Sequence, residues 1–354
     1  MHPAPNQNNT PNEDDTQILS SIYENVSIEF DEINKLIASQ ISSRADLVET
    51  IGKYITEAGG KRLRPLLVLL TSKALNYEGE KHVKLATIIE FLHTATLLHD
   101  DVVDDSSLRR GKITANSKWS NAASVLVGDF LYSRAFELMV DVGSLPIMGI
   151  LSKATNIIAE GEVLQLSNLG NLDLSEKKYR EIIRCKTALL FEAATHSAAL
   201  LSCPDETEKP VLDDLRKFGL HFGVAYQLID DWLDYAGDSG AMGKNTGDDL
   251  AEGKMTLPLI LALQNATKRE HACLSNAIRN RSASEATRVV EIVNNSGALE
   301  LTRKSAMEEI QRARDTLRHI EPSVYKSHLE TLTPLEYPVL TLRLFGMQTH
   351  HMMR

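Results

Sequence analysis

The chain has 354 residues, 43% hydrophobic but only 5% aromatic, with 19 glycines and 11 prolines. That composition can fill a sizeable core and, with so few turn residues, leans towards helices. A formal net charge of -10 lacks the basic footprint of a nucleic-acid binder, so no nucleic acid is expected as partner.

Any anionic ligand would therefore need locally concentrated positive charge, which makes each basic cluster informative. The three cysteines, Cys185, Cys203 and Cys273, are far apart and lack metal-ligand spacing. They fit a reduced cytosol, and a cytoplasmic location is expected. Residues 1–16 are polar and lack the basic start and apolar core of a signal peptide, so residues 1–17 read as a disordered extension. The longest apolar runs, such as 66–70, are far too short for a membrane span.

From Ile18 onwards the apolar spacing is helical almost throughout, and nothing of useful length alternates like a strand. Helices are expected over 18–41, 44–58, 64–76, 81–105, 119–141, 146–169, 175–202, 209–236, 255–265, 285–294 and 297–319. Breaks fall at Gly59-Gly60, Gly111, Pro146, Pro204 and across 237–253. No linker or repeat divides the chain. The expectation is an all-α fold, one large helical domain over 18–332 with a central cavity. An atypical tail follows over 333–354, where Pro334 and Pro338 break any continuous helix. The loop over 237–254 is long for a compact domain, and such loops are often functional.

In chain order, the first chemical signal is Gly-Gly-Lys-Arg-Leu-Arg-Pro at 59–65, a glycine turn entering a helix with cations at Lys61, Arg62 and Arg64. Glycines let a backbone approach an anion closely, and a helix N-terminus adds its positive end. An ordinary basic loop is the plain alternative. His93 lies two turns before Asp100 on the same face; a lone histidine on an apolar helix is more often a core residue.

Residues 97–105 read Leu-Leu-His-Asp-Asp-Val-Val-Asp-Asp. Like charges one turn apart destabilise a helix by about 0.2–0.5 kcal/mol per pair. Yet residues 86–98 are apolar on nearly every face, as in a buried helix. Asp100 and Asp104 share one face, and hard oxygen ligands so placed suit Mg²⁺, which takes one or two carboxylates plus substrate phosphates. Such a cluster alone is more often a solvated helix end. Arg109, Arg110 and Lys112 follow, able to neutralise phosphates or simply the aspartates. Lys186-Thr187 sits on an apolar helix, where an unpaired lysine is costly.

The acidic pattern then recurs. Gln227, Asp230, Asp231 and Asp234 form a stripe at i, i+3, i+4 and i+7 on a second apolar helix. Two such stripes can face each other across a cavity and share metals, as in helical bundles. Lys244 and Lys254 flank the long loop with Asp248 and Asp249, and solvated lysines would look the same. Together these groups suggest two polyanionic substrates, one held through metal and one by Lys/Arg, above a greasy tail.

These motifs resemble the trans-polyprenyl diphosphate synthase family, closest to its octaprenyl-forming bacterial members. The likeness runs over about 20–320. It rests on GGKRLRP at 59–65, EFLHTATLLHDDVVDDSSLRRGK at 90–112, VLVGDFLYSRAFELM at 125–139, AEGEVLQL at 159–166, KTALLFEAA at 186–194, and YQLIDDWLDY with GKNTGDDLAEGKMTLPL at 226–259. The resemblance implies an all-α homodimer with two or three Mg²⁺ ions per active site. It implies that Asp100 and Asp104, with Asp101 beside them, bind metal under the allylic diphosphate, and that Asp230, Asp231 and Asp234 serve the remaining metals. It places isopentenyl diphosphate on Lys61, Arg64, His93 and Arg110. It places the allylic diphosphate, farnesyl diphosphate as starter, on Arg109, Lys186, Thr187, Gln227 and Lys244. Asp100, Asp104, Asp230 and Lys186 are the catalytic set.

The implied product is octaprenyl diphosphate for a ubiquinone or menaquinone side chain, a lipid-like molecule handed to a membrane enzyme. Short-chain relatives block the cavity with an aromatic near positions 95 and 96; Ala95 and Thr96 are small here, and Phe136 or Met139 would stop growth deeper. Trp232 departs from the family's usual aliphatic residue. The rival readings are a class I terpene cyclase, which pairs its aspartates with an Asn/Ser/Glu motif absent here, and a non-catalytic subunit of a heteromeric synthase.

Overall fold

Most helices form where the apolar spacing predicts them. The computed structural model describes residues 13–57, 59–109, 111–203, 209–236 and 248–333. The first half runs α1 (Glu13–Glu24), α2 (Ser27–Ile41), α3 (Asp46–Thr56), α4 (Leu63–Ala74) and α5 (Lys81–Val103). A two-stranded antiparallel hairpin, β1 (Leu108–Arg109) with β2 (Lys112–Ile113), leads into α6 (Ala115–Lys118), α7 (Asn121–Val142) and α8 (Leu145–Leu166). After α9 (Glu176–Ile183), a π-turn over Arg184–Ala188 joins α10 (Leu189–Ser202) and then α11 (Lys209–Ala236). The chain continues through α12 (Asp248–Glu252), α13 (Leu257–Asn265), α14 (Lys268–Arg279), α15 (Ala286–Asn295), α16 (Ala298–Thr316) and α17 (Val324–Thr331).

The core has two lobes. One gathers α2, α4, α5, α7, α8, α10 and the first half of α11 around Leu66, Phe91, Leu131 and Phe218. The other gathers α9, α13 to α16 and the second half of α11 around Leu228, Leu257 and Val293. α11 belongs to both, and its stripe of polar residues lies on the half that enters the second lobe.

Several boundaries differ from the sequence expectation. α1 starts at Glu13, inside the segment expected to be disordered, and is anchored by fully buried Ile22; polarity alone is a poor guide to helicity. The helix expected over 18–41 is interrupted at Val26, whose φ/ψ of -130°/19° ends α1 and caps α2. α14 was not anticipated, because few of its residues are apolar; its start is fixed by a capping box between Thr267 and Glu270. α17 was not anticipated either. Thr333, assigned to the tail, is packed at 1% exposure, and its carbonyl accepts from Arg314 Nη1 at 3.0 Å. The remainder of the tail, 334–354, lies outside the described residues, as do residues 1–12, Arg110 and Lys244. Among the described residues no helix is long and apolar enough to cross a membrane.

Candidate active site

Residues 85–95 of α5 are buried on most sides, so the helix delivers its C-terminal aspartates to a fixed place. The Asp104 N–H closes the last turn on the Asp100 carbonyl at 2.8 Å. A helix C-terminus carries partial negative charge, which adds to that of the carboxylates and calls for cations. Asp100 and Asp104 open into a cavity of about 370 Å³.

Asp101 does not line it. It points into the protein at 0% exposure, where its Oδ1 accepts from Arg109 Nε at 2.8 Å. Its Oδ2 finds no hydrogen-bond partner among the described residues. Burial pushes its carboxyl above the usual range despite Arg109. Asp101 thus anchors the hairpin, and Arg109 lines the cavity.

The opposite wall is α11, which presents Gln227, Asp230, Asp231 and Asp234 to the same cavity. Asp231 is nearly sealed, with both oxygens engaged. Gln227 Nε2 donates to Oδ1 at 2.7 Å, and the Tyr179 hydroxyl, from α9, donates to Oδ2. Burial, with Asp249 and Asp230 adding to it, pushes the Asp231 carboxyl up to about 8. Gln227 is held from its other end by Thr187 Oγ1, which donates to Oε1 at 2.7 Å.

Lys186 and Thr187 both line the cavity because the π-turn widens the backbone between α9 and α10. Such turns occur often at functional sites. Two glycines admit this one. A Cβ on Gly161 of α8 would lie 2.9 Å from the Lys186 nitrogen, and one on Gly223 of α11 would lie 2.5 Å from the Ala188 Cα. The Lys186 ammonium donates to Glu162 Oε2 at 2.6 Å and lies 3.7 Å from Asp100 Oδ2. Burial, against the pull of Lys186, pushes Glu162 up to about 7.

Lys254, which a solvated reading would also have fitted, reaches into the site. Gly253, at φ 77°, takes the left-handed conformation that turns the chain after α12, and Lys254 Nζ donates to Asp104 Oδ2 at 2.9 Å. It also pairs with Glu252. Burial alone would depress its pKa; Asp249, Glu252 and Asp104 outweigh that and raise it well above the usual lysine range.

The basic group near α4 contributes no lining residue to this cavity. Arg64 Nη1 lies 3.2 Å from His93 Nε2, and its guanidinium stacks 4.1 Å from the Phe191 ring centroid. The Lys61 carbonyl accepts from the Tyr23 hydroxyl. None of Lys61, Arg64 and His93 is among the residues lining the 370 Å³ space. Nor are Ala95 and Thr96: Ala95 is fully buried, and Thr96 is half-buried with its hydroxyl on the His93 carbonyl. Met139 is 1% exposed, and Phe136 packs against Tyr132 at 6.0 Å between centroids.

Sequence reasoning gave no role to Glu162, Tyr179 or Asp249. Glu162 stands in the AEGEVLQL motif, which was its only signal.

Comparisons with known proteins identify the family. The polyprenyl synthetase family model matches residues 45–295. Octaprenyl diphosphate synthase of Escherichia coli is 46% identical over 299 residues, 84% of this chain and 91% of that one. The geranyl-diphosphate-specific all-trans-nonaprenyl-diphosphate synthase of Rhodobacter capsulatus is 47% identical over 311 residues, 88% of this chain and 94% of that one. A polyprenyl synthase from Caulobacter crescentus CB15, solved with calcium and isoprenyl diphosphate, superposes with a TM-score of 0.85 at 41% identity, covering 90% of this chain and 96% of that one. The chain belongs to the polyprenyl synthetase family, and its activity is that of a prenyltransferase.

Proposed function

We propose that the chain condenses isopentenyl diphosphate units onto an allylic diphosphate, farnesyl diphosphate as starter, to give octaprenyl diphosphate for a quinone side chain. The observation that carries this is one cavity in which Asp100, Asp104, Asp230, Asp231, Asp234, Asp249 and Glu252 face only Arg109, Lys186 and Lys254 among the described residues. So large an excess of carboxylate suits divalent cations, and the all-oxygen donor set suits Mg²⁺. Among the described residues no three ligating side chains converge into a closed metal shell. Mg²⁺ does not need one, because it keeps water and takes substrate phosphates alongside one or two carboxylates. The calcium in the Caulobacter relative supports a divalent ion here.

In this reading Asp100 and Asp104 hold metal on one wall and Asp230 and Asp234 on the other, two or three ions in all. Asp231, engaged by Tyr179 and Gln227, orients its neighbours instead. Bound Mg²⁺ supplies Lewis-acid stabilisation of the leaving diphosphate. Lys186, Arg109 and Lys254 stabilise the charge that develops on the diphosphate oxygens as the allylic C–O bond breaks, which is usually the largest catalytic contribution. Thr187, Gln227 and Lys244 orient the same group. Lys61, Arg64, His93 and Arg110 hold isopentenyl diphosphate, whose double bond attacks the allylic cation. The proton then lost passes to the released diphosphate, so no side-chain base is assigned.

We further propose a homodimer. Exposed Leu126, Val140, Leu145, Val163 and Leu166 on α7 and α8 supply apolar surface for it. The setting proposed is the cytoplasm, with the lipid-like product passed to a membrane enzyme. Incubating the purified chain with farnesyl diphosphate, isopentenyl diphosphate and MgCl₂, and sizing the product by mass spectrometry, tests the reaction. A cyclised hydrocarbon, or no product from the chain alone, overturns it.

A further inference from the structure

We propose that Glu162 is a positioning residue that keeps the Lys186 ammonium off Asp100, leaving the Asp100 carboxylate open to metal. This rests on the assignment above of Asp100 to metal and Lys186 to diphosphate. Two carboxylates compete for one ammonium. Glu162 holds it at 2.6 Å, while Asp100 lies at 3.7 Å. Lys186 and Asp100 line the cavity and Glu162 does not. Glu162 therefore holds the lysine from outside the cavity lining. Without it the nearest anion to Lys186 is Asp100, and a close ion pair there would occupy an oxygen that a metal needs.

The backbone is fixed as tightly as the ammonium. Gly161, next to Glu162 on α8, lets the π-turn approach so closely that a Cβ would sit 2.8 Å from the Cys185 Cβ and 2.9 Å from the Lys186 nitrogen. Adjacent α8 residues thus hold Lys186 at both ends, one by contact with its main chain and one by a charge-assisted hydrogen bond, the stronger kind.

The test is calorimetric titration of the holo-length protein with inorganic diphosphate in the presence of Mg²⁺, alongside steady-state kinetics. Glu162→Gln keeps the shape and removes the charge. Diphosphate affinity should fall about tenfold or more, as when a group that orients a metal-site residue is removed. The Mg²⁺ needed for half-maximal binding should rise, and the KM for isopentenyl diphosphate should stay unchanged. Glu162→Asp should restore part of the loss. In Glu162→Gln/Lys186→Met the Glu162 change should add nothing to the loss from Lys186→Met alone, the signature of two residues acting as one. Additive losses, or unchanged affinity in Glu162→Gln with only a lower Tm, overturn the positioning role. If Lys186→Met itself leaves diphosphate affinity intact, the assignment of Lys186 falls and the proposal with it.

Discussion

Lys254 Nζ donates to Asp104 Oδ2 at 2.9 Å, joining the end of α5 to the segment after α12 across 150 residues of chain. The two side chains are 20% and 14% exposed, so the pair is largely but not wholly removed from water. Removing one partner of a buried pair typically costs about 3–5 kcal/mol because a charge is left uncompensated. Both groups reach a cavity that admits water, so Lys254→Ala should lose about 1–2 kcal/mol, between the exposed and buried cases. Added Mg²⁺ should recover much of that loss by supplying the missing positive charge at Asp104. Urea unfolding with and without Mg²⁺ measures both. A loss that Mg²⁺ leaves untouched would show that Asp104 is not a metal site.

The aspartates themselves carry the sharper test. Asp100→Ala and Asp230→Ala should each reduce kcat by about three orders of magnitude, the scale of several kcal/mol of transition-state stabilisation. Circular dichroism should show the helices intact, since both residues face the cavity and not the core. EDTA should abolish turnover and MgCl₂ restore it. Turnover that survives EDTA would sink the metal assignment.

The stripes on α5 and α11 are legible in the sequence because helical periodicity is local: Asp100 with Asp104, and Asp230 with Asp234, share a face by spacing alone. The same spacing sets Asp101 off that face, and the structure buries it under Arg109. The π-turn is not legible. Residues 175–202 have the apolar pattern of a continuous helix, and the widening fits against Gly161 and Gly223, which belong to two other helices. Glu162 and Tyr179 are silent for a related reason: each matters through one tertiary neighbour, Lys186 or Asp231, that no spacing rule connects to it. Lys254 is ambiguous until Gly253 turns it inward.

Glu162 also makes a prediction about pH. Burial raises its carboxyl to about 7 in the folded protein, against about 4.3 when unfolded. A carboxyl raised on folding binds its proton more tightly in the native state. Its stabilising contribution is therefore fully present below the unfolded value and is lost as pH rises through 7. Linkage bounds the loss at about 3–4 kcal/mol, and its quarter exposure reduces that. Glu162→Gln does not titrate there. In metal-free buffer its stability relative to the parent should rise between about pH 5 and pH 8, by urea unfolding at each pH. A difference that stays flat would show that Glu162 is ionised throughout.

Product length should be decided where the hydrocarbon tail runs, and α5 is the guide proposed for it. From Asp100 back to Ala86 is about 21 Å of helix, long enough for several isoprene units. The structure separates the two small residues proposed to leave this path open. Ala95 is fully buried in the core, so an aromatic there has no room and overpacking costs about 1–3 kcal/mol or more. Thr96 is half-buried and stands one turn before Asp100, its hydroxyl tied to the His93 carbonyl of its own helix. Thr96→Phe should therefore shorten the product with turnover retained, while Ala95→Tyr should mainly lower Tm. Mass spectrometry of the products and thermal melts of both variants read the two effects apart. If Thr96→Phe lowers Tm and leaves the product length unchanged, Thr96 serves helix packing, and the stop to chain growth lies elsewhere, with Phe136 on α7 the next position to enlarge.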